Sequence, residues 1–422
     1  MRISTPGIFA TAAVFIQYFM NAMFVKSMGI LLVSMMEEFK ADTWVMGTIF
    51  ALVECGKDIL APLAGPIGRK LGPRPVVMVA GGFVCLGFVT TSLASRVLQV
   101  VLYVVFLIAV GQGFANVLTR SSLGAHFDVK GFAMASGIAR IGSSLSLICF
   151  PPLMQLFKTT YGWRGAMLLL GSIGAHITVS GALLIPPLSL RRTGSQTRDG
   201  YQILPDRSPE HQQDGACILA SIKPICVKIE GVFDLSLMKT LNFWIVALIS
   251  VTTRLNQSAW YIYFVPRTVA IGFSYEEATI MVTVAALFQL VITLLGSAAV
   301  YTEKVQVTSV MTVSVTLVAV AFFVDPWTTS WWSVSANAAL FVSSMGLVFN
   351  LAEIMVKEFI GVEKMANALG WIGFLSGTVR PLAGFIPGWI YDNTGGYGKA
   401  FCILGAMQIT ALVPLVIKRL KQ

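Results

Sequence analysis

The sequence predicts an all-α polytopic membrane protein whose twelve transmembrane helices form two six-helix halves. Three observations lead there. Of 422 residues, 56% are hydrophobic and only 12% charged, with a mean hydropathy of +0.77, a composition foreign to soluble domains. Apolar stretches that cover a bilayer at about 20 residues each recur near residues 8–36, 44–65, 75–95, 98–122, 132–156, 165–187, 241–265, 276–300, 306–324, 335–357, 365–390 and 400–417. They fall as six, a polar gap and six.

The first span follows about seven residues and is too long for a signal-peptide core, so it is expected to be retained. One charge interrupts it, Lys26. An ammonium at that depth costs several kcal/mol unless it meets a protein interior, water or an anion. Lys26 therefore either faces a functional cavity or is tied to a carboxylate on a neighbouring helix. Span 2 carries Glu54, Lys57 and Asp58, spaced by three and four and so sharing one helical face. Such a face has to point inward, either as a proton site or as a structural ion cluster. Gly65, Gly68, Arg69, Lys70, Gly72 and Arg74 then form a tight basic turn.

Arg120 lies on span 4 and Arg140 on span 5, where Gly137, Ala139, Gly142, Ser143 and Ser144 allow close helix approach. From Leu188 to about Gly231 the chain is rich in Arg, Asp, Gln, Ser and Pro and is expected to be a disordered tether. This divides the chain into an N-terminal half (1–187), a linker (188–240) and a C-terminal half (241–422). The linker's last part, Val232 to Lys239, reads as an amphipathic lead-in lying on the membrane. Span 7 offers Arg254, Asn256 and Gln257, followed by Trp260, Tyr261 and Tyr263. The arginine suits bidentate binding of a carboxylate, while the aromatics suit either a substrate body or an interfacial belt. Span 10 carries Asn350 and Glu353, and span 11 carries Arg380 just before Pro381. Arg120 and Lys357, near span ends, are expected to snorkel.

The net charge of +10 comes from basic residues in short loops, which set membrane orientation and imply no nucleic-acid partner. Arg69, Lys70, Arg74, Lys130, the linker and the tail Lys418, Arg419 and Lys421 lie on one side. The other side carries few, such as Lys40, Arg96, Lys158 and Arg267. Both termini and the linker are thus expected in the cytosol. Of the six cysteines, four fall inside spans, and Cys217 and Cys226 in a cytosolic linker are not expected to pair. No histidine, cysteine or carboxylate set has metal-ligand spacing, and no phosphate-binding glycine loop occurs, so neither cofactor nor metal is implied. No nucleophile, base and orienting group can be assembled, which disfavours an enzyme.

Six plus six helices around a cytosolic linker is the outline of the major facilitator superfamily, in which the first, second, fourth and fifth helices of each half line a cavity. The deep charges Lys26, Glu54, Lys57, Asp58, Arg120, Arg140, Arg254, Glu353 and Arg380 all lie on spans of that kind. Spans 3, 6, 9 and 12 carry no Asp, Glu, Lys or Arg. Further stretches resemble the monocarboxylate transporter family. These are Phe24-Val25-Lys26-Ser27, His126-Phe127 with Ala135-Ser136-Gly137-Ile138-Ala139 and Gly142, Tyr161-Gly162-Trp163-Arg164-Gly165, Phe233-Asp234-Leu235-Ser236-Leu237, and Asp392-Asn393-Thr394-Gly395-Gly396-Tyr397.

That resemblance implies a multi-pass plasma-membrane carrier in which Lys26 meets a substrate carboxylate, with a single-pass immunoglobulin-type accessory subunit as partner. There are departures. The superfamily's acidic position in the loop after span 2 is Arg69 here, and the monocarboxylate transporter family's aspartate and arginine on span 8 correspond to Gln289 and Thr293. The nine deep positions hold six basic and three acidic groups, which favours an anionic or zwitterionic substrate. The expected function is alternating-access transport of small organic acids or zwitterions through the lipid bilayer. Lys26, Arg254, Asn256, Asn350 and Arg380 are assigned to substrate, and Glu54, Lys57, Asp58, Arg140 and Glu353 to a coupling or charge network. Neutral residues on span 8 favour a facilitator over a proton symporter with a relocated proton site. A non-transporting sensor on the same fold is the rival reading.

Overall fold

In lipid a backbone cannot hand its N–H and C=O groups to water, so long apolar segments fold as helices that satisfy them internally. A computed structural model describes residues 5–39, 52–186 and 233–415, and among these residues there are helices and no strands. The first part contains α1 (Thr5–Phe39), α2 (52–59), α3 (Ala64–Leu71) and α4 (Pro73–Ser92). It continues with α5 (Val97–His126, with a π-helical stretch at Val104–Ala109), α6 (Val129–Gly174) and α7 (His176–Ala182). The second part contains α8 (Leu241–Ala270), α9 (Tyr275–Tyr301), α10 (Val307–Val324) and α11 (Trp331–Ile360), then α12 (Met365–Val379), α13 (Leu382–Thr394) and α14 (Gly398–Thr410).

Nine described helices or runs are long and apolar enough to cross a membrane. The difference from twelve has local causes. Spans 5 and 6 form one 54-residue run, Val129–Ala182, broken at Gly162, whose φ of 68° suits a residue without Cβ. Residues 40–51, which include the start of span 2, lie outside the described residues. Helix α8 is 30 residues long, but Arg254, Asn256, Gln257 and Arg267 dilute its apolarity. Residues 187–232, which include the whole of the expected tether, also lie outside the described residues.

The lead-in to α8 differs from the expectation. Leu235–Lys239 forms a 3-10 turn with Leu237 buried, and Asp234 accepts hydrogen bonds from Arg69 at 2.7 Å and from Asn367. The Trp371 indole donates to Phe233 O at 2.9 Å. This segment docks on the helix ends because its acid and its backbone carbonyl find donors there. Arg267, expected in a loop, is instead buried at the end of α8, pairing with Asp325 at 2.9 Å and donating to Thr328.

Across the two parts, α6 packs on α9 and α11, while α2 and α3 pack on α12. Glycines set how close these helices come. A Cβ on Gly137 would fall 2.1 Å from Ser297 Oγ, and one on Gly370 would fall 2.8 Å from Ala61 O. The end that carries Gly72 and Gly361 holds several polar contacts between the parts. There Lys357 donates to Asp128 O at 2.9 Å and to Phe127 O, Lys130 pairs with Glu303, and Arg69 pairs with Asp234. Lys357 therefore clasps the opposite helix and does not snorkel, because its ammonium reaches the Phe127 and Asp128 carbonyls just ahead of α6.

Candidate functional site

Two buried ion clusters join the N-terminal and C-terminal parts, and their polarities are opposite. In the first, both carboxylates come from α2 and the guanidiniums from the C-terminal part. Asp58 pairs with Arg254 at 3.1 Å and with Arg380 at 3.2 Å. Glu54 pairs with Lys57 at 2.5 Å and with Arg380. Lys57 also donates to Asn21 Oδ1 of α1 at 3.0 Å. The expected trio on one face of α2 is thus present, with Asp58 turned to the arginines of α8 and the α12 end. Arg380 reaches both carboxylates because α12 stops at Val379, before Pro381.

In the second cluster the carboxylate is Glu353 of α11 and the guanidiniums come from the N-terminal part. Arg120 of α5 donates to Glu353 at 3.1 Å, Arg140 of α6 at 2.5 Å, and the Tyr18 hydroxyl of α1 lies 2.8 Å from both carboxylate oxygens. Arg140 also lies 4.7 Å over the Tyr18 ring and donates to Asn350 Oδ1 at 3.4 Å, while Asn350 donates to Ser297 Oγ at 2.9 Å. Arg120 is only 6% exposed, so it too does not snorkel: a buried carboxylate from the other part is within reach.

Each cluster carries one surplus positive charge among the described residues. Lys57, Arg254 and Arg380 face Glu54 and Asp58, and Arg120 and Arg140 face Glu353. Buried charge this dense is tolerated only when paired, and the surplus can be met by a monoanion.

The expected site residues divide accordingly. Arg254, Arg380, Glu54, Lys57 and Asp58 meet in one cluster, and Arg140, Asn350 and Glu353 in the other. Asn256 stands apart: it donates to Gln408 Oε1 at 2.7 Å and Leu404 O at 3.2 Å, tying α8 to α14, because its position on α8 faces the helix behind the clusters. Lys26 sits within α1, but its side chain lies outside the described residues. Tyr18, Asn21 and Ser297 were not singled out from sequence; the three-residue spacing of Tyr18 and Asn21 on an otherwise apolar helix was the available signal.

A family model described as Major Facilitator Superfamily matches residues 14–384. The chain belongs to the major facilitator superfamily. Within it the chain is monocarboxylate transporter-like. It is 23% identical to mouse monocarboxylate transporter 12 over 92% of this chain and 80% of the relative, and 25% identical to human monocarboxylate transporter 2 over 89% and 76%. Its fold is similar to that of the proton:xylose symporter XylE, with a TM-score of 0.72 at 15% identity over 97% of this chain and 95% of the other. It is also similar to the human organic anion transporter MFSD10, with a TM-score of 0.68 at 13% identity over 98% and 100%. At such identities the structures show the fold alone.

For this superfamily member, two motifs acquire structural roles. In Tyr161-Gly162-Trp163-Arg164-Gly165, the Trp163 indole donates to Glu38, and Arg164 donates to Glu38 Oε1 and to Ser92 O, each at 2.7 Å. Hydrogen bonds from Arg164 and then Trp163 hold the Glu38 carboxyl below its ordinary range. In the last turn of α3, Arg69 pairs with Asp234, which supplies the opposite charge from the lead-in. On α9, Thr293 Oγ1 and Gln289 Oε1 are buried without hydrogen-bond partners.

Proposed function

We propose that this protein is an alternating-access carrier of small organic anions or zwitterions, in which the substrate carboxylate binds at the Asp58, Arg254 and Arg380 cluster. The observation that carries this reading is the single surplus cation of that cluster, shared across the two parts of the chain. A carboxylate supplied by substrate neutralises the surplus and can exchange with Asp58 on either guanidinium. Because the guanidiniums and Asp58 belong to opposite parts, binding is coupled to their relative motion. Lys26 completes the site from α1 in this reading.

The two moving units are the six-helix halves 1–187 and 241–422, joined by the linker 188–240. The positive-inside bias places the end with Gly72 and Gly361, both termini and the linker in the cytosol of a plasma-membrane protein. Contacts between the halves at that end correspond to a carrier closed toward the cytosol. Transport is facilitative, since Gln289 and Thr293 offer no exchangeable proton near neutral pH. The test is uptake of a panel of labelled small acids into proteoliposomes. Arg254→Gln and Arg380→Gln should each lower uptake at least tenfold at equal reconstitution. Normal flux in both variants, or no protein-dependent flux of any acid, refutes the proposal.

A further inference from the structure

Next to the ion cluster lies a second, uncharged set of groups. Arg254, Gln257 and Tyr261 of α8 stand at i, i+3 and i+7, on one stripe spanning about 10 Å of helix axis. Gln257 and Tyr261 line a recess with Gln289 of α9 and Phe341, Met345 and Gly346 of α11. It has room for about 10 Å³, one water-sized group. Tyr261 interacts with the Gln257 side chain and lies within electrostatic reach of Glu54, so the recess adjoins the ion cluster.

Three features make it a built site. The Gln289 carbonyl oxygen is buried with no donor, and an unmet acceptor in an apolar setting carries a desolvation cost. Glycine at 346 is what admits the Gln289 amide, since a Cβ there would fall 2.6 Å from its Nε2. The neighbouring wall is aromatic, with Trp260 stacked on Phe341 at a centroid distance of 5.0 Å. No carboxylate lines the recess among the described residues, so an ammonium would be buried there unpaired.

We infer that this recess is a specificity subsite for an uncharged hydrogen-bond donor, a hydroxyl or amide N–H, carried by an organic acid whose carboxylate is held at Arg254. The inference rests on the carrier reading above and narrows its substrate class. The preferred substrate is an acid bearing a hydroxyl or amide about 5–10 Å from its carboxylate, the reach from Arg254 to Gln257 and Tyr261 along the helix. An unsubstituted short monocarboxylate leaves the Gln289 oxygen unmet.

The test uses the purified full-length protein in detergent, titrated in thermal-shift measurements with hexanoate, 6-hydroxyhexanoate and 6-aminohexanoate. The hydroxy acid should bind with an apparent Kd about tenfold below that of hexanoate, the scale of one well-placed hydrogen bond. Gln289→Leu and Gly346→Ala, which remove or displace the amide by different means, should each bring that ratio close to one. Equal Kd values in the wild type, a ratio retained in both variants, or tighter binding of the amino acid than of the hydroxy acid overturns the subsite. Hexanoate binding without preference sinks the subsite and leaves the carrier reading intact. Failure of all three acids to stabilise the wild-type protein overturns the substrate class inferred here, while the carrier reading is decided separately by the proteoliposome uptake panel.

Discussion

Replacing Glu353 with glutamine tests whether the second cluster is an interacting unit. Glu353 is 5% exposed and receives Arg120, Arg140 and Tyr18 within 3.1 Å. Glu353→Gln keeps the shape but leaves two guanidiniums buried without a counter-ion, and removal of one partner of a buried pair costs about 3–5 kcal/mol. Adding Arg140→Gln restores the original surplus of one positive charge, so the double variant should be more stable than the sum of the two single losses by about 1.5–3 kcal/mol. Denaturant unfolding of the four purified proteins gives this coupling energy directly. Additivity to within about 0.5 kcal/mol would refute the idea that these side chains act together.

Three further outcomes follow from the geometry. Gly370→Leu drives its side chain against the Ala61 and Pro62 backbone, so the end near Gly72 should open, seen as faster labelling of a cysteine introduced at Ala64. For Glu38, the depressed carboxyl means its contribution is present above the ordinary carboxylate range and is lost as pH falls through the depressed value. The thermal midpoints of wild type and Glu38→Gln should therefore differ at pH 7 and converge below about pH 4. An imposed inward proton gradient should not drive accumulation of substrate above equilibrium; concentrative uptake abolished by Glu54→Gln or Glu353→Gln would establish a relocated proton site instead.

The charges were legible in sequence because lipid makes them expensive: Glu54, Lys57, Asp58, Arg140, Arg254, Glu353 and Arg380 stand out against apolar spans, and all are paired in the structure. Their partners were not legible. Helical spacing brings Glu54, Lys57 and Asp58 to one face, but only the approach of α12, allowed by Gly370, Gly373 and Gly377, delivers Arg380 to two of them. Arg120 and Lys357 looked like snorkelling residues because position along a helix gives depth and says nothing of the neighbour. Asn256 looked like a ligand because it follows Arg254 by two, yet a two-residue step turns a side chain by about 200° and aims it at α14. The lead-in showed an apolar pattern that fits a membrane surface, while its docking depends on Asp234 meeting Arg69, a pairing across 165 residues.

In the proposed carrier, the opposite polarity of the two clusters bears on how an anion would promote movement. When the N-terminal and C-terminal parts separate, each carboxylate leaves a guanidinium of the other part, and each separation exposes an unpaired charge to a low-dielectric interior. With one surplus cation per cluster, an incoming carboxylate can replace Asp58 on Arg254 before that pair is broken, so the guanidinium is never left bare. The exchange lowers the cost of motion only for a ligand that carries the charge. The neutral amide of the same acid has no such effect and adds its own desolvation cost. In this scheme, selectivity for the carboxylate and its effect on the conformational equilibrium are one property of the Asp58, Arg254 and Arg380 cluster, since only a ligand with differential affinity for the two states shifts their populations.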